Sequence, residues 1–233
     1  MKRTLFVVEG QTEQIFLLRF IEMLIAVGTF RVKLQKHQAG EILEISERGV
    51  PEDAATHLIY ILNVQGDDSV NSYINENIQV MKSKGYSAVF GLRDLYTGSK
   101  SKAKVNPATI DSWTQELSTE NNVEVQITVA IEEVEAWFLS VPTFLLSYSH
   151  QLIIERVNDI LGFNLSTCQV EALKHPSKLI DKILQTVNER YRKRLDDSYK
   201  IADALDYGTL YLEKIHNLPS LARLACQLDH ALP

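Results

Sequence analysis

Four apolar residues, Leu5 to Val8, run straight into Glu9 and Gly10, and a helical pattern begins at once in L-F-V-V-E-G-Q-T-E. An unbroken apolar run of that length, closed by glycine, predicts a strand covered on both faces, the kind that belongs to α/β sheets. A carboxylate just past such a strand falls on the carboxyl edge of the sheet, where open α/β folds place their ligands. Gly10 is expected to allow a tight turn that exposes Glu9. Thr12 is expected to cap the following helix, with Glu13 in its first turn on the side of Glu9.

Farther along, helical and strand patterns alternate. Gln11 to Val27 has a wide apolar face at helical spacing, and Phe30 to Lys36 alternates as a half-buried or edge strand does. Gln38 to Pro51, with two glycines and a proline and no clear period, reads as a loop with room for a short helix. His57 to Val64 predicts a strand. A helix capped by Asp67 or Asp68 follows, running to Lys84 and stopping at Gly85. Ser87 to Leu92 predicts another buried strand, which delivers Arg93 and Asp94. Tyr96 to Pro107 is loop, and Pro107, capped by Asn106, opens a helix toward Asn121. Val123 to Ile131 alternates as a strand and meets Glu132, Glu133 and Glu135 at the start of a helix.

After Trp137 the strand signals stop. Pro142 to Tyr148, Gln151 to Leu161, Pro176 to Arg194, Lys200 to Leu205 and Pro219 to Leu232 all read helical. The expected architecture is therefore an α/β domain over residues 1–140, a mostly parallel sheet flanked by helices, with a helical region, 141–233, packed on it.

Composition narrows the function classes. The chain has 233 residues, 45% apolar and 23% charged, which is ordinary for a globular protein. No apolar run approaches the roughly 20 residues of a membrane span. The apolar stretch behind Lys2 and Arg3 is broken by Glu9 and is no signal peptide. Cys168 and Cys226 lie far apart without CxxC spacing, and no histidines fall at HxH or HExxH spacing, which argues against zinc and disulfides. A reducing cytoplasm is the expected compartment. With a net charge of −6, nucleic acid has to be met by a local basic patch.

Three strand ends carry acids: Glu9, Asp94, and the pair Glu133 and Glu135. In a parallel sheet these ends share one edge, and carboxylates gathered there repel one another unless a cation joins them. Hard oxygen donors suit Mg²⁺ or Mn²⁺, and paired ions of this kind serve phosphodiester chemistry. The plain structural reading is that acids at helix starts stabilise the helix dipole and need no metal.

Assembled, these motifs resemble the Toprim (topoisomerase–primase) fold, with a Glu-Gly after the first strand and an Asp motif after a later one. V-V-E-G-Q-T-E resembles in particular the Toprim nucleases of the overcoming-lysogenization-defect family. It is closer still to a bacterial Toprim-like family described only as a domain of unknown function. That family has V-E-G-x-T-E, then D-x-Y, then E-x-E-A followed by two apolar residues. Here these are Glu9 to Glu13, Asp94-Leu95-Tyr96, and Glu133-Val134-Glu135-Ala136-Trp137-Phe138. The resemblance covers residues 4 to 140 and, more faintly, His175-Pro176-Ser177-Lys178 and Tyr191-Arg192-Lys193. It implies Glu9, Glu13 and Asp94 as catalytic residues, and Glu9, Asp94, Glu133 and Glu135 as ligands of Mg²⁺ or Mn²⁺. The implied activity is a nuclease, acting on DNA foremost, alongside a partner ATPase in mobile-element defence.

Arg93 and the alternating Lys100, Lys102 and Lys104 stand next to Asp94 in sequence and are the candidates for phosphate contact. Arg190, Arg192, Lys193 and Arg194 form a second basic cluster, expected at a helix carboxyl end, where cations are favoured anyway. Tyr96 departs from Toprim enzymes, which carry a second Asp there. That departure leaves open a binding module that kept the fold without catalysis. A third alternative is a phosphoryl- or nucleotidyl-transfer enzyme on a small substrate, which predicts a closed apolar pocket beside Glu9.

Overall fold

The computed structural model describes residues 1–25, 29–66, 69–95 and 107–232. Its strands are β1 (Lys2–Val8), β2 (Phe30–Gln38), β3 (Glu41–Gly49), β4 (His57–Asn63), β5 (Ala88–Leu95) and β6 (Glu124–Ile131). They form one sheet in the order β3-β2-β4-β1-β5-β6. Five strands run parallel, and β3 alone is antiparallel, against β2. The apolar run at the amino terminus is thus a central strand, covered on both faces as such runs require.

Helices lie on both sides. On one face α1 (Gln11–Leu24) packs over Phe6, Val8, Ile59, Ile61, Phe90 and Leu92. On the other, α2 (Ser69–Ser83) and α3 (Pro107–Asn121) cover Leu5, Val7, Val89, Ile127 and Val129. From β1 the chain moves by way of α1 toward β2 and β4, whereas β5 leads by way of α3 to β6. The direction of winding therefore reverses between β1 and β5, and α/β sheets open a ligand crevice at such a point.

The remaining helices are α4 (Glu135–Leu139), α5 (Ile154–Leu161), α6 (Pro176–Gln185), α7 (Leu195–Ala204), the single turn α8 (Tyr207–Thr209) and α9 (Pro219–Ala231). They belong to the α1 face and share its core, which runs without a break from Phe6 and Phe16 through Trp137 and Phe144 to Leu184 and Leu228. Phe16 is the hub. Its ring centroid lies 5.5 Å from that of Trp137, 5.4 Å from Phe138 and 5.7 Å from Tyr207.

Three expectations are corrected. Gln38 to Pro51 is not loop but the edge strand β3, joined to β2 by a two-residue turn at Ala39 (φ 52°) and Gly40 (φ 84°). Alternation fails there because β3 is exposed along almost its whole length, on both faces, and a bulge beside Leu34 shifts the register. Cross-strand ion pairs from Lys33 to Glu44 and from Arg31 to Glu47 hold the strand instead. The helix from Pro176 ends at Gln185 rather than Arg194; beyond it Asn188 (φ 61°) and Lys193 (φ 54°) are left-handed and turn the backbone. Finally, α4 opens at Glu135, so Glu132 and Glu133 precede it. The proposed caps Asp67, Asp68 and Asn106 lie outside the described residues.

Candidate metal centre

The carboxyl edge at the reversal point gathers the acids. Val8 pairs with Leu92, which sets Glu9 beside the end of β5, and Glu9 Oε2 accepts a hydrogen bond from the Asp94 amide at 3.1 Å. Asp94 belongs to β5 itself and shares the parity of Phe90 and Leu92, so its side chain is on the α1 face. Next along the edge, β6 runs out through Glu132, whose left-handed backbone (φ 64°) turns the chain so that Glu133 and Glu135 fold back toward Asp94. One oxygen from each of Asp94, Glu133 and Glu135 lies within 4.8 Å of the others, and all three residues are buried.

Each member of the triad has its own donor. Asp94 Oδ1 accepts from the Val134 amide at 3.2 Å. Both Glu133 oxygens are held by Ser177 at the start of α6, through its amide at 2.8 Å and its hydroxyl at 2.9 Å. Glu135, with no exposed surface, accepts from the Tyr191 hydroxyl at 2.7 Å. The Lys193 ammonium lies among them, 3.0 Å from Glu135, 3.1 Å from Glu133 and 4.0 Å from Asp94.

Protonation equilibria record the crowding. Burial, then the charge of Glu13, pushes Asp94 well above the usual carboxylate range, with Lys193 pulling the other way. Burial likewise pushes Glu13 up to about 7; Lys193 opposes this, and Glu135 and Glu133 add to it. Glu133 is the opposite case. Burial pushes it up, but Lys193 and the two Ser177 hydrogen bonds outweigh that and hold it below the ordinary value. For Lys193 itself, burial disfavours the charge, and the four surrounding carboxylates more than restore it. Burial and like charge thus favour the protonated form of Asp94 and Glu13, while Lys193 and Ser177 favour the ionised form of Glu133.

The first motif is employed residue by residue, though not in every way expected. Glu9 is buried rather than exposed, at 7%. Gly10 is extended (φ −146°, ψ −174°), a conformation open to any residue. Its lack of a side chain instead makes room for Glu13, since a Cβ there would stand 2.8 Å from Glu13 Oε2. Thr12 does not cap α1; its hydroxyl meets the Ser198 hydroxyl at 3.0 Å. Gln11 donates to the Lys193 carbonyl. The start of α1 thus fastens the segment that carries Lys193.

Other candidates fall elsewhere. Arg93 has the opposite parity to Asp94, is buried at 4%, and donates to Asn71 of α2 at 3.3 Å, so the sheet separates it from the acids. Lys100, Lys102, Lys104 and Tyr96 lie outside the described residues. Glu132 is ion-paired with Lys174 at 2.6 Å and takes no part in the triad. Cavities of about 340 and 360 Å³ are lined around Cys168 and around Tyr73, and neither touches Glu9.

Ser177, Tyr191 and Lys193 were not singled out from sequence as members of this site. The signal was present in the fainter H-P-S-K and Y-R-K matches. Lys193 reads in sequence as one of a run of surface cations, and the left-handed turn that aims it inward leaves no trace in composition. Non-glycine residues with positive φ recur around the cluster: Gln65, whose neighbouring Gly66 amide donates to the Glu9 carbonyl, Glu132, His175 ahead of Ser177, and Lys193. Backbone held in this sparsely populated region gathers at functional sites.

Comparison with known proteins adds a family. The model of the family described as "Domain of unknown function (DUF4276)" matches residues 8–228. No curated protein matches. Among solved structures, a Lactobacillus plantarum WCFS1 protein provisionally named a cell surface hydrolase aligns with TM-score 0.32 and 11% identity. The alignment covers 57% of this chain and 53% of that one, so the chain spans about half the length of that structure. A likeness that slight carries no argument. Among the described residues, no helix is long and apolar enough to cross a membrane.

Proposed function

The chain belongs to the DUF4276 family, and we propose that its carboxylate cluster is a divalent-metal centre for the hydrolysis of nucleic-acid phosphodiesters. The observation that carries this reading is the buried triad of Asp94, Glu133 and Glu135 with an ammonium already drawn to it. All the donor atoms are carboxylate oxygens, the hard ligands that Mg²⁺ and Mn²⁺ take. The Lys193 ammonium is a stand-in that tests the fit: a cation is accommodated where the three oxygens converge. Asp94, Glu133 and Glu135 would hold the ion, which when bound supplies charge stabilisation at a phosphoryl oxygen and a more acidic water.

The chain's own residues supply the rest. Val134, Ser177 and Tyr191 fix the ligand oxygens, so the cluster is oriented before anything binds. Glu9 ties β1 to the Asp94 backbone, and Glu13 remains as the carboxylate to accept a proton. The nucleic-acid substrate, DNA foremost, rests on the resemblance of the three ordered motifs to Toprim nucleases. A partner ATPase and a place in mobile-element defence rest on the same resemblance. Incubation of the purified protein with Mn²⁺ on plasmid and single-stranded DNA tests the assignment. Cleavage is expected from the wild type and not from Asp94→Ala or Glu135→Ala, and equal cleavage by all three proteins would sink it.

A second reading, a binding module without catalysis, draws support from the same Lys193, whose charge already meets the triad. It predicts no specific Mn²⁺ or Mg²⁺ binding by calorimetry alongside intact nucleic-acid binding.

A further inference from the structure

We infer that Lys193 is the resident counter-cation of the triad, holding in the metal-free protein the place a divalent ion takes, and that metal binding expels its ammonium from the cluster. The inference rests on the metal reading above and adds to it a competitor supplied by the chain itself.

The argument begins with space. The ligand oxygens of Asp94, Glu133 and Glu135 lie within 4.8 Å of one another, and Lys193 Nζ stands 4.0, 3.1 and 3.0 Å from those three residues. A divalent ion bound to all three oxygens would sit at little more than 2 Å from each. It would share a buried opening with an ammonium, where repulsion between like charges is steep. The two cations exclude each other.

The site is built to survive the exchange. Each ligand keeps a donor that is not Lys193: the Val134 amide on Asp94, Ser177 on Glu133, and the Tyr191 hydroxyl on Glu135. The backbone around Lys193 is also pinned. The Tyr191 amide donates to Asp181, the Arg192 amide donates to Asp197, and Gln11 donates to the Lys193 carbonyl. Exchange is then a rotation of one side chain, and that side chain is already 32% exposed, so the way out leads to solvent. Two residues away, Tyr191 is 4% exposed and has no such route. Among the described residues, the ring of carboxylates therefore has one fixed donor set and one removable cation, Lys193.

Calorimetric titration with Mn²⁺ of the wild type and Lys193→Met, with labelling of the wild type, tests this. Lys193→Met is expected to bind Mn²⁺ about tenfold more tightly or better, because the competitor is gone. In the wild type, reductive methylation of Lys193, followed by mass spectrometry, is expected to quicken severalfold once Mn²⁺ is bound; this measurement needs no variant to fold. If the wild type binds Mn²⁺ but Lys193→Met binds no more tightly, or labelling is unchanged on saturation, the displacement is overturned and the metal centre stands. If neither protein binds Mn²⁺, the metal reading fails and the displacement falls with it.

Discussion

The carboxyl edge of the sheet and the α6–α7 segment are built from opposite chemistry. The edge contributes acids, Glu9, Glu13, Asp94, Glu133 and Glu135, on strand ends and first turns whose geometry the sheet dictates. The segment contributes donors, Ser177, Tyr191 and Lys193, on a helix start and an irregular stretch. Neither half is tolerable alone: the edge by itself is a buried cluster of like charges, and the donors by themselves would be an ordinary surface. The site exists only where residues from the two ends of the chain meet. The two regions therefore have to be packed as one body, as the continuous core from Phe6 to Leu228 requires.

The most severe break is to remove one side. A chain ending at residue 140 would expose Trp137, Phe138 and the outer surface of Phe16, and would leave Glu133 and Glu135 without Ser177, Tyr191 and Lys193. It is expected to show no cooperative thermal transition by circular dichroism, whereas the full chain shows one. A sharp transition in the short chain would mean that the sheet region folds alone.

A single side chain weakens the same junction. Phe16→Ala deletes the ring that contacts Phe20, Trp137, Phe138 and Tyr207. Its cost is about 3–5 kcal/mol, the usual range for a fully buried phenylalanine, read from urea denaturation. Less than about 1 kcal/mol would place the junction elsewhere.

These two expectations rest on parts of the fold that the sequence displayed well. Apolar runs and 3.6-residue periods mark buried strands and amphipathic helices, and so the parallel sheet and the acids at its edge were legible. β3 was not, since an edge strand exposed on both faces has no period to read. The donor half was hardest. Ser177 and Tyr191 are ordinary helix-start and core types, and Lys193 resembles its neighbours Arg192 and Arg194. Only tertiary placement separates a lysine inside a cluster of acids from a lysine in water.

The imbalance between the halves should also appear as a dependence on pH. Glu13 retains its proton in the folded state up to about 7, against an ordinary 4.5. The folded protein therefore binds more protons than the unfolded chain between those values. The stability linked to Glu13 is complete below about 4.5 and is lost as pH rises to about 7, at up to ~1.4 kcal/mol per pH unit. Urea midpoints of wild type and Glu13→Gln should diverge in this window, with the variant keeping more of its stability as pH rises. Parallel midpoints across the window would show that Glu13 is not held protonated.

On the donor side, Tyr191→Phe removes the hydroxyl that meets Glu135 at 2.7 Å and leaves the ring in the core. A buried carboxylate that loses one donor costs about 1–3 kcal/mol. The comparison sharpens if Mn²⁺ affinity falls along with the urea midpoint, because the hydroxyl then orients a ligand as well as satisfying it.

The smallest effect separates two cations three residues apart. Arg190 makes two 2.9 Å hydrogen bonds to Asp181 and is half exposed, while Lys193 reaches the buried acids. Asp181 is held below its ordinary pKa first by that arginine, but it also accepts the Tyr191 amide at 2.9 Å, a bond that does not depend on Arg190. Arg190→Ala should therefore leave the urea midpoint nearly where it was, as the loss of an exposed ion pair does, and leave Mn²⁺ affinity unchanged. Asp181→Ala should cost more and weaken Mn²⁺ binding, because it frees the backbone that places Tyr191, whose hydroxyl orients the ligand Glu135. If Arg190→Ala instead altered Mn²⁺ affinity as strongly as Lys193→Met, the basic run would be acting as a diffuse field. The distinction between an ammonium placed among buried acids and its solvated neighbours would then be lost.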